Sequence, residues 1–146
     1  MAHWASFDPP VIGIVMVSHG DMAESMIRSA TMLTPDVSQV TAVSLWPEDN
    51  PDEFQTKLEQ KVREVDSGDG VVILADMLGG TPCNRAIYCI GDKVRMLAGM
   101  SLPMLLSLLF SRDVESDISE LVKTALDDAG TNLVYVNELM GKGDAE

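Results

Sequence analysis

Two uninterrupted apolar runs, residues 11–17 (VIGIVMV) and Val71–Ala75 (VVILA), constrain this chain more than any other feature. A strand with one wet face alternates apolar and polar residues. A run that is apolar throughout and rich in Val and Ile reads instead as a strand buried on both faces. Val40–Leu45 and Val94–Ala98 supply two further strands, and a last short one is predicted at 133–136 (LVYV). Helical periodicity fills the intervals. Met22, Met26, Ala30 and Leu33 fall on one stripe, behind Asp21 and Glu24 at capping-box spacing. Asn50 as N-cap, Pro51 at the first helical position and Glu53 in the first turn open a second helix. Its apolar face is Phe54, Leu58, Val62 and Val65, and Gly68 stops it. Thr81 as N-cap and Pro82 start a third that runs through Ile90 and is closed by Gly91. Others begin at Pro103 and span 117–129, the last closed by Gly130.

Strands alternating with helices of this length predict an α/β fold: one parallel sheet flanked by helices on both faces. The 146 residues suit a single domain. Residues 1–10 read as a loose tail whose Trp4 and Phe7 pack on the surface, 11–140 as the domain, and 141–146 as a polar tail.

Charge narrows the classes of partner. Asp and Glu outnumber Lys and Arg by 23 to 10, for a net charge of -13, so nucleic acid and acidic membranes are disfavoured and a basic protein partner is favoured. The longest apolar stretch, 102–110, is too short to span a bilayer, and the first ten residues lack the pattern of a secretory signal. Cys83 and Cys89 form neither a CxxC pair nor a zinc spacing, and read as reduced thiols. The expected location is cytoplasmic, with no metal or cofactor.

In an open parallel sheet the functional crevice lies at the carboxyl ends of the strands. Three turns, beginning at Ser18, Asp76 and Gly99, are thereby predicted along one edge of the molecule. The chain has two histidines; His3 lies in the tail, whereas His19 follows a buried strand and precedes a helix, whose free N–H groups favour an anion. Asp76 follows another buried strand and can be its neighbour. A carboxylate that accepts the Nδ1 hydrogen leaves the Nε2 lone pair as a nucleophile and steadies positive charge on the ring. Gly20 allows the tight turn, and Gly79, Gly80 and Thr81 offer backbone donors and a hydroxyl to phosphoryl oxygens. Taken singly, each feature has a structural reading: a hydrogen-bonded histidine, a turn aspartate, a glycine loop with an N-cap. Their convergence on one edge points to phosphoryl transfer.

Three segments carry a resemblance: VIGIVMVSHGDMAE (11–24), GDGVVILADMLGGTPCN (68–84) and AGMSLPMLL (98–106). In order and spacing they resemble the IIA domain of the mannose/fructose/sorbose family of the sugar phosphotransferase system. The resemblance implies that His19 accepts phosphate from the phosphocarrier protein HPr and passes it to a IIB component. It further implies that Asp76 orients His19, that Thr81 hydrogen-bonds the phosphoryl group, and that the chain forms a homodimer in which the 133–136 strand is exchanged. Met22, Leu78, Met100 and Ser101 are the expected partner-contact residues; Ser101 stands where family members usually have Asn. No IIB segment is recognisable, so the chain reads as a stand-alone IIA. That leaves a regulatory phosphocarrier without a transport role as the alternative. The phosphotransfer subunit of a dihydroxyacetone kinase fits the S-H-G-D and L-G-G-T-P motifs less closely. An aspartyl-phosphate receiver would need an acidic Mg²⁺ cluster where His19 stands, and no P-loop or G-x-G-x-x-G follows any strand.

Overall fold

A computed structural model describes residues 11–142; the segment carrying His3, Trp4 and Phe7, and residues 143–146, lie outside the described residues. The elements in chain order are β1 (Gly13–His19), α1 (Met22–Ala30), β2 (Val40–Leu45), α2 (Pro51–Val65), β3 (Val71–Ala75), α3 (Gly80–Ala86) with a 3₁₀ turn at Ile87–Cys89, β4 (Val94–Ala98), α4 (Leu102–Ser111), α5 (Ile118–Thr131) and α6 (Val136–Leu139). The four strands pair in the order β2-β1-β3-β4, all parallel.

The two runs that dominate the sequence are the two central strands. Every residue of β3 is buried, as is every residue of β1 except His19. One face, carrying Ile14, Met16, Val72 and Leu74, packs against α1, α4 and α5. The other, carrying Val15, Val17, Ile73 and Ala75, packs against α2 and α3. Helix α2 follows its sequence signals closely. The Asn50 side chain accepts from the N–H groups of Asp52 and Glu53, and Phe54, Leu58, Val62 and Val65 are buried, each side chain contributing about 1.5–3 kcal/mol.

Four expectations are corrected. Strand β1 begins and ends two residues later than its apolar run, so Ser18 and His19 are its last residues rather than the turn after it. Helix α1 is not capped by Asp21, whose side chain makes no capping bond. The buried Ser18 hydroxyl accepts from Ala23 N–H at 3.0 Å instead, and donates to the Gly20 carbonyl at 2.9 Å. The buried stripe of α1 is Ala23, Met26, Ile27 and Ala30, while Met22 and Leu33 are exposed. Residues 133–136 form no strand: the chain there is irregular and enters α6. A strand needs a neighbouring edge to satisfy its backbone, and the four described strands pair only with one another.

The guanidinium of Arg112, 4% exposed, ties the carboxyl end of α4 to the sheet. It donates to the carbonyls of Ile12 at 3.0 Å and Ser38 at 2.6 Å, where β1 and β2 begin. Burial lowers its pKa, opposed by the charges of Asp36 and Asp113.

Candidate functional site

The sheet changes direction between β1 and β3: the chain moves outward to β2 after β1, then returns to the other side. That is the position where an open parallel sheet leaves a crevice. Because β1 and β3 are direct neighbours, with Val17 beside Ala75 and Asp76 N–H donating to the Val17 carbonyl at 3.1 Å, Asp76 arrives beside His19.

One oxygen of Asp76 holds His19 twice. Oδ2 accepts from the His19 backbone N–H at 2.9 Å and lies 2.8 Å from Nδ1 of the ring, while Oδ1 accepts from Met77 N–H at 2.9 Å. Burial pushes the Asp76 carboxyl up, but the His19 backbone N–H, the His19 ring and its charge, and the Met77 N–H together outweigh it and hold the pKa below its ordinary 3.8. The carboxylate is therefore ionised at neutral pH, and in a neutral ring it favours the tautomer with the hydrogen on Nδ1, which leaves the Nε2 lone pair free. The Asp76 side chain is 8% exposed and that of His19 50%, so the anchor is enclosed and the ring is open to an incoming group.

The glycine turn closes over the ring edge. A Cβ placed on Gly80 would sit 2.9 Å from Cε1 and 3.3 Å from Nε2 of His19, so only glycine leaves room there. Gly20, Gly79 and Gly80 all have φ between +62° and +84°, a region that favours glycine. Thr81 is not the N-cap of α3: the helix opens at Gly80, with Gly79 before it and no side-chain cap. The Thr81 hydroxyl makes no hydrogen bond among the described residues, and Thr81 lines the same cleft as His19.

That cleft, about 530 Å³, is walled by Gly20, Leu45, Trp46, Pro47, Asp49 and Pro51 besides His19 and Thr81. Sequence reasoning missed Trp46. It follows β2, the other neighbour of β1, so the strand-end rule that selected Ser18, Asp76 and Gly99 also covered it. The Asp49 carboxylate fixes this turn by accepting from Trp46 N–H at 2.8 Å. On the far side, Met100 N–H donates to the Ala75 carbonyl at 2.9 Å, which draws the Gly99 turn towards Asp76.

The four expected partner-contact residues divide. Met22 and Leu78 are exposed. Met100 is 5% exposed and packs in the core, so its side chain presents little to a partner. Ser101 is the N-cap of α4, accepting from Met104 N–H at 3.3 Å. Asn caps as well as Ser, so the departure from the family residue keeps the helix start. No three His, Cys, Asp or Glu side chains among the described residues are grouped to hold a metal, and no described helix is long and apolar enough to cross a membrane.

A family model described as the PTS system fructose IIA component matches residues 13–126, which contain every element from β1 to most of α5. The chain belongs to the mannose/fructose family of phosphotransferase-system IIA components. It is 32% identical over 118 residues to the mannose-specific EIIAB component of Escherichia coli (strain K12); the match covers 80% of the chain and 36% of that protein. The chain thus spans about a third of the length of these curated relatives. It is 30% identical over 105 residues to the fructose-specific EIIA component of Bacillus subtilis (strain 168), covering 70% of the chain and 72% of that protein. Among solved structures, the PTS IIA protein associated with the fucose utilization operon from Streptococcus pneumoniae superposes with a TM-score of 0.77 at 29% identity, covering 89% of this chain and 96% of that one.

Proposed function

We propose that this IIA chain is a cytoplasmic phosphocarrier that accepts a phosphoryl group from phospho-HPr on Nε2 of His19 and hands it to a IIB component. The observation that carries this reading is the double grip of Asp76 Oδ2 on the His19 backbone and on Nδ1, which fixes the ring and leaves Nε2 as the nucleophile.

The step balances without a metal or an added base. The Nε2 lone pair attacks phosphorus, the N–P bond of the donor phosphohistidine breaks, and its electron pair returns to the donor imidazole. Transfer to the acceptor reverses the process. The Nδ1 hydrogen stays on the ring throughout, and ionised Asp76 offsets the positive charge that builds there. The Thr81 hydroxyl and the N–H groups of Gly79 and Gly80 donate to the phosphoryl oxygens, while Gly20 keeps bulk away from the approach path. Met22 and Leu78, exposed beside the site, contact the partner protein.

The functional unit is a homodimer. Leu133, Val134 and Val136 expose apolar side chains, which supports pairing of this segment with a second copy rather than with its own sheet. Phosphorylation by enzyme I, HPr and phosphoenolpyruvate tests the carrier role. Wild type should take up one acid-labile phosphoryl group, and His19→Ala none. Undiminished labelling of His19→Ala would overturn the assignment.

A further inference from the structure

The cleft in front of His19 has two unlike kinds of lining. Gly80, against the ring edge, and Thr81 suit phosphoryl oxygens. Leu45, Trp46, Pro47 and Pro51 are apolar, and the one acidic or basic side chain among the lining residues besides His19 is Asp49. A phosphoryl group gains nothing from that second lining: its oxygens lose water there without meeting a donor, and the Asp49 carboxylate repels them.

Trp46 is the largest of these side chains, and its place is fixed. Its backbone N–H donates to Asp49 Oδ2 at 2.8 Å, and Asp49 N–H donates back to the Trp46 carbonyl at 3.0 Å. Pro47, second residue of the turn closed in this way, restricts the backbone between them. Gly20 N–H donates to the Leu45 carbonyl at 2.8 Å, which ties the same turn to the residue after His19. A Cβ on Gly20 would stand 3.7 Å from Cζ3 of Trp46, an ordinary contact distance, so the indole borders Gly20. Trp46 nevertheless stays 44% exposed, which leaves much of its surface for an incoming group.

The group that must follow the phosphoryl into this cleft is the ring that carries it. The His19 Nε2 lone pair attacks phosphorus, the partner's N–P bond breaks, and the bonding pair returns to the partner's imidazole. That ring is flat, and with the phosphoryl group on one nitrogen and hydrogen on the other it carries positive charge. Indole attracts on both counts, as an aromatic neighbour and as the best side chain for a cation over its face. We infer that Trp46 receives the imidazole of the partner's phosphohistidine and holds it towards Nε2 while the phosphoryl group crosses. The inference rests on the phosphocarrier reading and names the group that meets the apolar lining. Because the partner ring is cationic before transfer and neutral after it, the contact strengthens donor binding rather than the chemical step, and acts on KM more than on kcat.

The ring is isolated by comparing three donors on the full chain: phospho-HPr, N-phosphoimidazole, which keeps the ring without the protein, and phosphoramidate, which keeps the N–P bond without the ring. Trp46→Ala should raise KM for phospho-HPr about ten-fold with kcat near that of wild type, and slow N-phosphoimidazole by a similar factor. Phosphoramidate should label both proteins equally fast. Trp46→Phe should recover most of the loss with the two ring-bearing donors. Should Trp46→Ala not fold, Trp46→Leu, apolar but without an aromatic face, decides by the same comparison. Equal losses with all three donors, or no loss with N-phosphoimidazole, would overturn the inference; a loss confined to phospho-HPr would place the indole against the partner's surface instead of its ring. Wild-type His19 that takes a phosphoryl group from none of the three would sink the carrier reading itself, a result distinct from labelling that ignores Trp46.

Discussion

Replacing Gly80 by alanine separates the geometry of the site from the stability of the turn that forms it. The new Cβ would stand 2.9 Å from Cε1 and 3.3 Å from Nε2 of His19. Because Asp76 grips both the backbone and Nδ1 of the same residue, the ring cannot swing away without losing a bond. The methyl group therefore either covers Nε2 or displaces the ring by a few tenths of an ångström or more, and misplacement on the 1 Å scale costs roughly 10²-fold in rate. Gly80 also sits at φ +79°, where a side chain costs about 1–2 kcal/mol. Gly79→Ala is the control: its φ is +84° but nothing lies within 4 Å of its Cβ position. Urea unfolding should show both variants destabilised. Rapid-quench phosphorylation by phospho-HPr at saturating donor should show Gly80→Ala slowed about 10²-fold and Gly79→Ala within a few-fold of wild type. Equal rates for Gly80→Ala and wild type would refute the packing argument, and equal losses in both variants would show that turn strain, not contact with the ring, is responsible.

Other outcomes follow from the same contacts. Asp76→Asn should keep the fold but lose the carboxylate that fixes Nδ1–H, slowing phosphoryl uptake by on the order of 10²–10⁴-fold in the same assay. Since the Asp76 pKa is lowered in the folded state, its contribution to stability is fully present above its ordinary 3.8 and is lost as the pH falls below that value. Urea midpoints of wild type should accordingly fall more steeply on acidification than those of Asp76→Asn. Asp36, lowered by its hydrogen bonds to Ser38 and by the charge of Arg112, titrates alike in both and cancels in the comparison. Arg112→Met should leave the Ile12 and Ser38 carbonyls without their donors and cost about 2–4 kcal/mol in urea unfolding, with phosphorylation at 25 °C unaffected.

The sheet was legible because β3 is apolar at every position and β1 is apolar up to Val17, which few other environments require. The pairing of His19 with Asp76 was legible for the same reason: buried parallel strands end on one edge, and His19 ends one of two neighbouring strands while Asp76 follows the other. Elsewhere local signals misled. Thr81-Pro82 has the sequence of a helix start, but two glycines at positive φ turn the chain first, and α3 opens at Gly80. Asp21 has the spacing of a cap, yet Ser18, still in the strand, reaches the helix N–H from below. The LVYV segment has strand composition, but composition cannot supply a neighbouring edge. Arg112 gave no sign at all: the carbonyls it serves lie 100 and 74 residues away in sequence, and burial of a guanidinium depends on that distant pairing.

The most direct test of the carrier role is the position and linkage of the phosphoryl group after reaction with phosphoenolpyruvate, enzyme I and HPr. Phosphorus NMR and peptide mapping of the wild-type chain should find one phosphohistidine, on Nε2 of His19, stable in base and lost in acid. A phosphoryl group on Nδ1, on Asp76 or on any other residue, or none on the wild-type chain, would contradict the account.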